Sequence, residues 1–131
     1  MRKLQIVALS FLLSMSALPS RAQAGSWGCV YMIMSHAHAA AAACGAPLDS
    51  EHEANYVTLH AALEQFIRTN ASSNPDGLLS ALQRSSQLLP QENVCDPSFK
   101  RSLETMTGSE NAAKIQEAMK IPSDPMAGGC I

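Results

Sequence analysis

Residues 27–44 read WGCVYMIMSHAHAAAAAC, and this stretch decides the fold. It holds no Pro, no Gly after Gly28 and no formal charge, and Ala dominates it from Ala37 onward. Ala has the highest helix propensity of any residue. The stretch therefore predicts a helix over Trp27–Cys44, stopped by Gly45 and Pro47. Its Ala face lets a neighbouring helix approach closely. It is only weakly hydrophobic and two His interrupt it, which argues against a membrane span.

A helix here constrains the four cysteines. Cys29 and Cys44 sit at its two ends, and fifteen residues of helix span ~22 Å. A disulfide holds its Cα atoms ~5.5 Å apart. The two cannot bond each other, so each must take Cys95 or Cys130. In an up-down arrangement the end of the first helix lies near the end of the third. Cys95 follows the third helix, which favours Cys44–Cys95 with Cys29–Cys130. The swapped pairing, Cys29–Cys95 with Cys44–Cys130, stays open. There is no C-x-x-C for redox exchange, no C-x-x-C-H for haem and no zinc spacing. Structural cystines are the expected use.

Upstream, Arg2 and Lys3 open a run from Leu4 to Leu18 that is apolar apart from Gln5, Ser10, Ser14 and Ser16. Pro19 and Ser20 break it, and Ala22-Gln23-Ala24 supplies a small-x-small cleavage pattern. Residues 1–24 thus read as a secretory signal peptide, and residues 25–131 as a single all-helical domain. The apolar run is short of the ~20 residues that span a bilayer, so no stable membrane insertion is expected after cleavage. Trp27 spoils the small position of a lipobox before Cys29. Export with four downstream cysteines points to a periplasmic or secreted protein.

Cleavage removes Arg2, Lys3 and Arg21 and leaves all eleven acidic residues, so the remaining 107 residues carry six basic groups and a formal charge of −5. A mildly acidic small domain has no electrostatic case for nucleic acid or anionic lipid.

The other helices follow from caps and stripes. Ser50 with Glu53 fits a capping box, opening a second helix to about Asn70 striped by Tyr56, Leu59, Leu63, Phe66 and Ile67. Pro75 behind Asn74 starts a third, with Leu78, Leu79, Leu82, Leu88 and Leu89 inward and a stop near Pro90. Asp96-Pro97 starts a fourth striped by Phe99, Leu103 and Met106 and stopped by Gly108. Ser109 is expected to cap a fifth, with Ala112, Ile115 and Met119 inward and Pro122 beyond it. The Pro- and Gly-rich tail from Ser123 to Ile131 needs Cys130 to tie it down. The fold class is all-α: a bundle of four to five helices stapled by two disulfides.

Two clusters could carry chemistry. In Met32-Ile33-Met34-Ser35-His36-Ala37-His38, Met32 lies one turn before His36 and Met34 one turn before His38. Thioether with imidazole suits copper. The plainer reading has the Met residues packing and the His residues at the helix surface. Glu53, His60 and Glu64 share one flank of the second helix. His60 with either Glu could form a base and its orienting acid, as in a small hydrolase; His60 with Glu64 could form a metal site, or simply a solvated i,i+4 contact. Trp27 is a candidate anchor for a partner, or equally a residue that packs under the tail tied by Cys130. Asn70-Ala71-Ser72 matches a glycosylation sequon.

There is no G-x-S-x-G and no phosphate-cradling glycine loop. The general plan is similar to that of small exported helical proteins of bacteria, which include inhibitors, immunity proteins and chaperones. The expected function is protein–protein binding in the cell envelope, without catalysis and without a cofactor. Copper binding through Met32, Met34, His36 and His38 is the alternative.

Overall fold

The structure is a computed structural model that describes residues 26–88 and 95–130. The signal peptide expected over 1–24, the stop near Pro90 and the terminal Ile131 lie outside those residues. Within them the protein is all-helical, with five α-helices and no strand: α1 Trp27–Ala43, α2 Ser50–Asn70, α3 Pro75–Leu88, α4 Pro97–Thr107 and α5 Ser109–Ala118. No helix among the described residues is long and apolar enough to cross a membrane.

α1 is the central element and packs against α2, α3 and α4. Its apolar residues are spread around the whole circumference rather than along one stripe, as its uncharged, Ala-rich sequence implies. Ser26 caps it by accepting a hydrogen bond from the Cys29 N–H at 3.1 Å. At its far end Gly45 adopts φ +68°, the left-handed conformation open to glycine. Gly45 N–H then reaches the Ala42 carbonyl and Ala46 N–H the Ala41 carbonyl, a Schellman ending that satisfies two orphan carbonyls.

Tyr31 and Met34 of α1 meet Leu59, Leu63 and Ile67 of α2, Leu79 and Leu82 of α3, and Leu103 of α4 in one contiguous core. The apolar stripe of α2 is buried as its spacing requires. α5 folds back from α4 at Gly108 and lies along α2.

Both cystines follow the favoured pairing. Cys29–Cys130 and Cys44–Cys95 hold their Cα atoms 5.3 and 5.5 Å apart, and no cysteine is left free. The first pins the C-terminal tail across the start of α1. There Gly28 N–H donates to the Pro125 carbonyl at 2.8 Å, and Pro125 is fully buried.

Three local expectations are corrected. The N-cap of α2 is Asp49, not Ser50: its extended backbone directs the carboxylate onto His52 N–H at 2.9 Å. A carboxylate at that position also accepts from His52 Nδ1, so the reciprocal partner three residues on is His52 rather than Glu53. Ser109 does not cap α5; Gly108 occupies that position without a side-chain bond. Ser109 instead donates to Glu51 and accepts from Asn55, tying α5 to the start of α2. Phe99 lies on the rim at 37 % exposure, edge-on to His36, while Leu103 takes the core position.

Candidate functional site

The polar side chains of the bundle gather along the seam where α1 and α2 run antiparallel, joined by the short hairpin after Cys44. As residue numbers rise along α1 they fall along α2, so Tyr31 meets Glu64, Ser35 meets His60, and His38 meets Tyr56 and Glu53. Tyr31, Ser35 and His38 follow one another at four- and three-residue steps, one face of a helix. Glu53, Tyr56, His60 and Glu64 do the same on α2.

Four rings stack in order along this seam. His38 lies flat on Tyr56 with centroids 3.8 Å apart. Tyr56 leans on His60 at 5.3 Å, and His60 stacks on Tyr31 at 4.7 Å. A carboxylate closes each end. Glu53 accepts from His38 Nε2–H through both oxygens, at 2.8 and 2.9 Å. Glu64 accepts from the Tyr31 hydroxyl at 3.0 Å. Gln83 of α3 donates to that same hydroxyl at 3.2 Å.

Hydrogen bonding assigns the protons. Ser35 Oγ lies 2.7 Å from the Tyr31 carbonyl, which can only accept, so the hydroxyl proton goes there. Its lone pair is left for His60 Nε2, 3.1 Å away, which must donate. Neutral His60 therefore carries its proton on Nε2 and turns a bare Nδ1 toward Glu64 Oε1 at 3.8 Å. Burial holds the His60 imidazolium below its usual range, against the pull of Glu64 and with the added push of His38. Burial drives the Tyr56 phenol up to about 12, outweighing the Ser35 hydroxyl beside it. It raises Tyr31 as well, although the bond from Gln83 works the other way.

Ser35, His60 and Glu64 stand in the order nucleophile, base and acid, but two requirements of acyl transfer are unmet. The Ser35 proton points to a carbonyl instead of His60. Ser35 also sits in the middle of α1, where the backbone N–H groups around it belong to the helical ladder and are not free to stabilise an oxyanion. Glu53, the other acid considered for His60, is taken by His38.

Met32, Met34, His36 and His38 are not brought to one point. Met34 is fully buried in the core, and Met32 packs at its edge. His36 is buried, and its Nδ1–H donates to the Ser86 carbonyl of α3 at 2.9 Å. His38 turns to α2. Two-residue spacing on a helix sends neighbours to different sides. No group of three or more His, Cys, Asp or Glu among the described residues is arranged to hold a metal ion.

Trp27 packs against the core, edge-on to Phe66 at 6.1 Å. Asn70 of the sequon is the last residue of α2, and its amide donates to the Phe66 carbonyl. Tyr31 and Ser35 have no role assigned from the sequence, and Tyr56 is expected there only as a member of the apolar stripe. Their signal is the matching four-and-three spacing of polar and aromatic residues on two helices joined by a short hairpin.

No family model matches this chain, and comparison with curated proteins and with solved structures finds no significant match.

Proposed function

We propose that this chain is an exported helical protein that works by binding another protein in the periplasm or outside the cell, and that it performs no catalysis. Inhibitor, immunity and chaperone-like roles all fit that description. The observation that carries the reading is that all four cysteines are paired, since such bonds persist where the compartment is oxidising. A binding role draws support from an open groove of about 360 Å³ between the ends of α2 and α5, floored by Ala62, Phe66 and Met119. Ile121, 72 % exposed, lies just beyond it in sequence. Lys120 and Gln116 give the groove a polar rim, as at many protein interfaces.

Two measurements test this. Intact-mass analysis of the protein recovered from its producing cells is expected to show a chain starting at Gly25 with both cystines formed. A photo-crosslinking residue at position 119 is expected to give one adduct of defined mass, absent when Ile121→Asp is added. A chain that keeps residues 1–24 with reduced cysteines would sink the export half. Failure of any adduct to form in envelope or secreted fractions would sink the binding half.

A further inference from the structure

His60 is the one histidine of the seam held between two tyrosine faces, with a hydroxyl at one nitrogen and a carboxylate facing the other. Its Nε2–H is satisfied by Ser35. Its Nδ1 lone pair points at Glu64 across 3.8 Å, too far for a hydrogen bond and unfavourable for two acceptors. The facing carboxylate oxygen is the one that accepts the hydroxyl of the fully buried Tyr31. Tyr31 also accepts from Gln83, so this hydroxyl links α1, α2 and α3.

We propose that His60 is a proton-operated latch: uptake of a proton at Nδ1 draws the Glu64 carboxylate away from the Tyr31 hydroxyl and loosens the junction of α1, α2 and α3. A new Nδ1–H donor facing Glu64 closes the 3.8 Å gap as a charge-assisted bond. The same carboxylate oxygen must then be shared or surrendered by Tyr31. The titratable groups that face His60 are Tyr31 and His38 on α1 and Tyr56 and Glu64 on α2; Glu53 stands behind His38, and Arg68 acts on Tyr31. α3 reaches the seam through the uncharged Gln83. His38 opposes the charge, Glu64 favours it, and burial between the rings makes it costly.

The sign follows from that balance. Burial holds the folded His60 below its ordinary 6.5, so the unfolded chain takes the proton first. The stability it contributes is present above about pH 6.5 and is lost as pH falls toward the folded value. Inside that window the folding equilibrium changes by up to about tenfold per pH unit for one proton.

The test has three readings. Urea unfolding from pH 7.5 to 5 is expected to show wild type losing stability relative to His60→Gln as pH falls. Parallel profiles overturn the latch. Nitrogen-15 NMR of the wild-type ring is expected to show the Nε2–H tautomer and a midpoint below 6.5. An Nδ1–H tautomer, or a midpoint at or above 6.5, overturns it whether or not His60→Gln folds. Tyr31→Phe removes the competing donor from Glu64 and is expected to raise the His60 midpoint. A midpoint unchanged or lowered shows that Glu64 is not contested, which also overturns the proposal.

Discussion

The two ends of α1 each carry a cystine, yet they are held in different ways. At the N-terminal end the partner is a short tail, and covalent closure is backed by shape. Gly28 leaves room for Met126 and for the Pro125 carbonyl; a Cβ there would lie 2.5 Å from Met126 Sδ and 3.0 Å from Pro125 O. At the C-terminal end the partner, Cys95, stands just before α4, a helix whose Leu103 is in the core. There the chain turns on the left-handed Gly45, where a Cβ would touch nothing within 4 Å. One end is fastened to a tail, or strap, that lies beyond the last helix; the other is fastened to the bundle. Equal covalent chemistry then gives unequal consequences.

The largest expected effect tests that inequality. The bridges are nested, so with the other one intact each closes a loop of about fifty residues, worth about 4 kcal/mol in the chain-entropy account. Replacing Cys44 and Cys95 by Ser is expected to lose most of this. Replacing Cys29 and Cys130 by Ser is expected to lose less, because the tail can leave without unfolding the helices. The cost is then limited to what docks the tail. Urea unfolding compares the two variants, and trypsin cleavage at Lys120 of the folded Cys29/Cys130 variant reports the lifted strap. If the outer pair costs as much as the inner pair, the strap is not separable from the bundle.

Glycine replacements sharpen the same contrast at smaller scale. Gly28→Val places a side chain where the tail lies, and overpacking of this kind costs about 1–3 kcal/mol. Gly45→Ala has free space but a backbone conformation that costs about 1–2 kcal/mol for a residue with a Cβ. The two are distinguished by coupling. Gly28→Val is expected to cost little more once the outer cystine is removed and the tail has lifted. Gly45→Ala is expected to add its full cost in that background. Additive behaviour of Gly28→Val would mean that the tail stays docked without its bridge.

The helices, the α2 stripe and the exclusion of Cys29–Cys44 were legible because each follows from a short-range rule: Ala propensity, i,i+3 and i,i+4 burial, and the length of fifteen helical residues; the choice between the two remaining pairings rested on the up-down order of the helices. The seam was half legible. Periodicity placed Glu53, His60 and Glu64 on one flank of α2 but carried no information on which helix faces that flank. Pairing Glu53 with His38 needed the antiparallel register of α1. Ser35, between Met34 and His36, carries no signal of its own in the sequence; its role depends on His60 of the facing helix. The cap at Asp49 was missed for a related reason. Asp49 and Ser50 are both good caps, and their choice depends on which backbone is extended at the turn after Pro47.

That turn yields the smallest expected effect, one that separates two histidines of a single helix. At the start of α2, His52 Nδ1 donates to Asp49 at the surface, and this bond lifts the imidazolium above its ordinary 6.5 while the His52 N–H and ring together lower the Asp49 carboxyl. A raised folded value means that the folded chain takes the proton first. The stability from His52 is therefore present below about pH 6.5 and is lost as pH rises through the folded value. His60, two turns on and half-buried, has the opposite sign. His52→Ala is expected to hurt more at pH 5.5 than at pH 8, whereas His60→Gln costs least, relative to wild type, at the acid end. Because the His52–Asp49 bond lies at the surface, added salt is expected to erase its pH dependence while leaving that of His60, stacked between two tyrosines, largely in place. If salt flattens both profiles equally, His60 is not shielded by Tyr31 and Tyr56, and the division of α2 into a solvated cap and a buried seam fails.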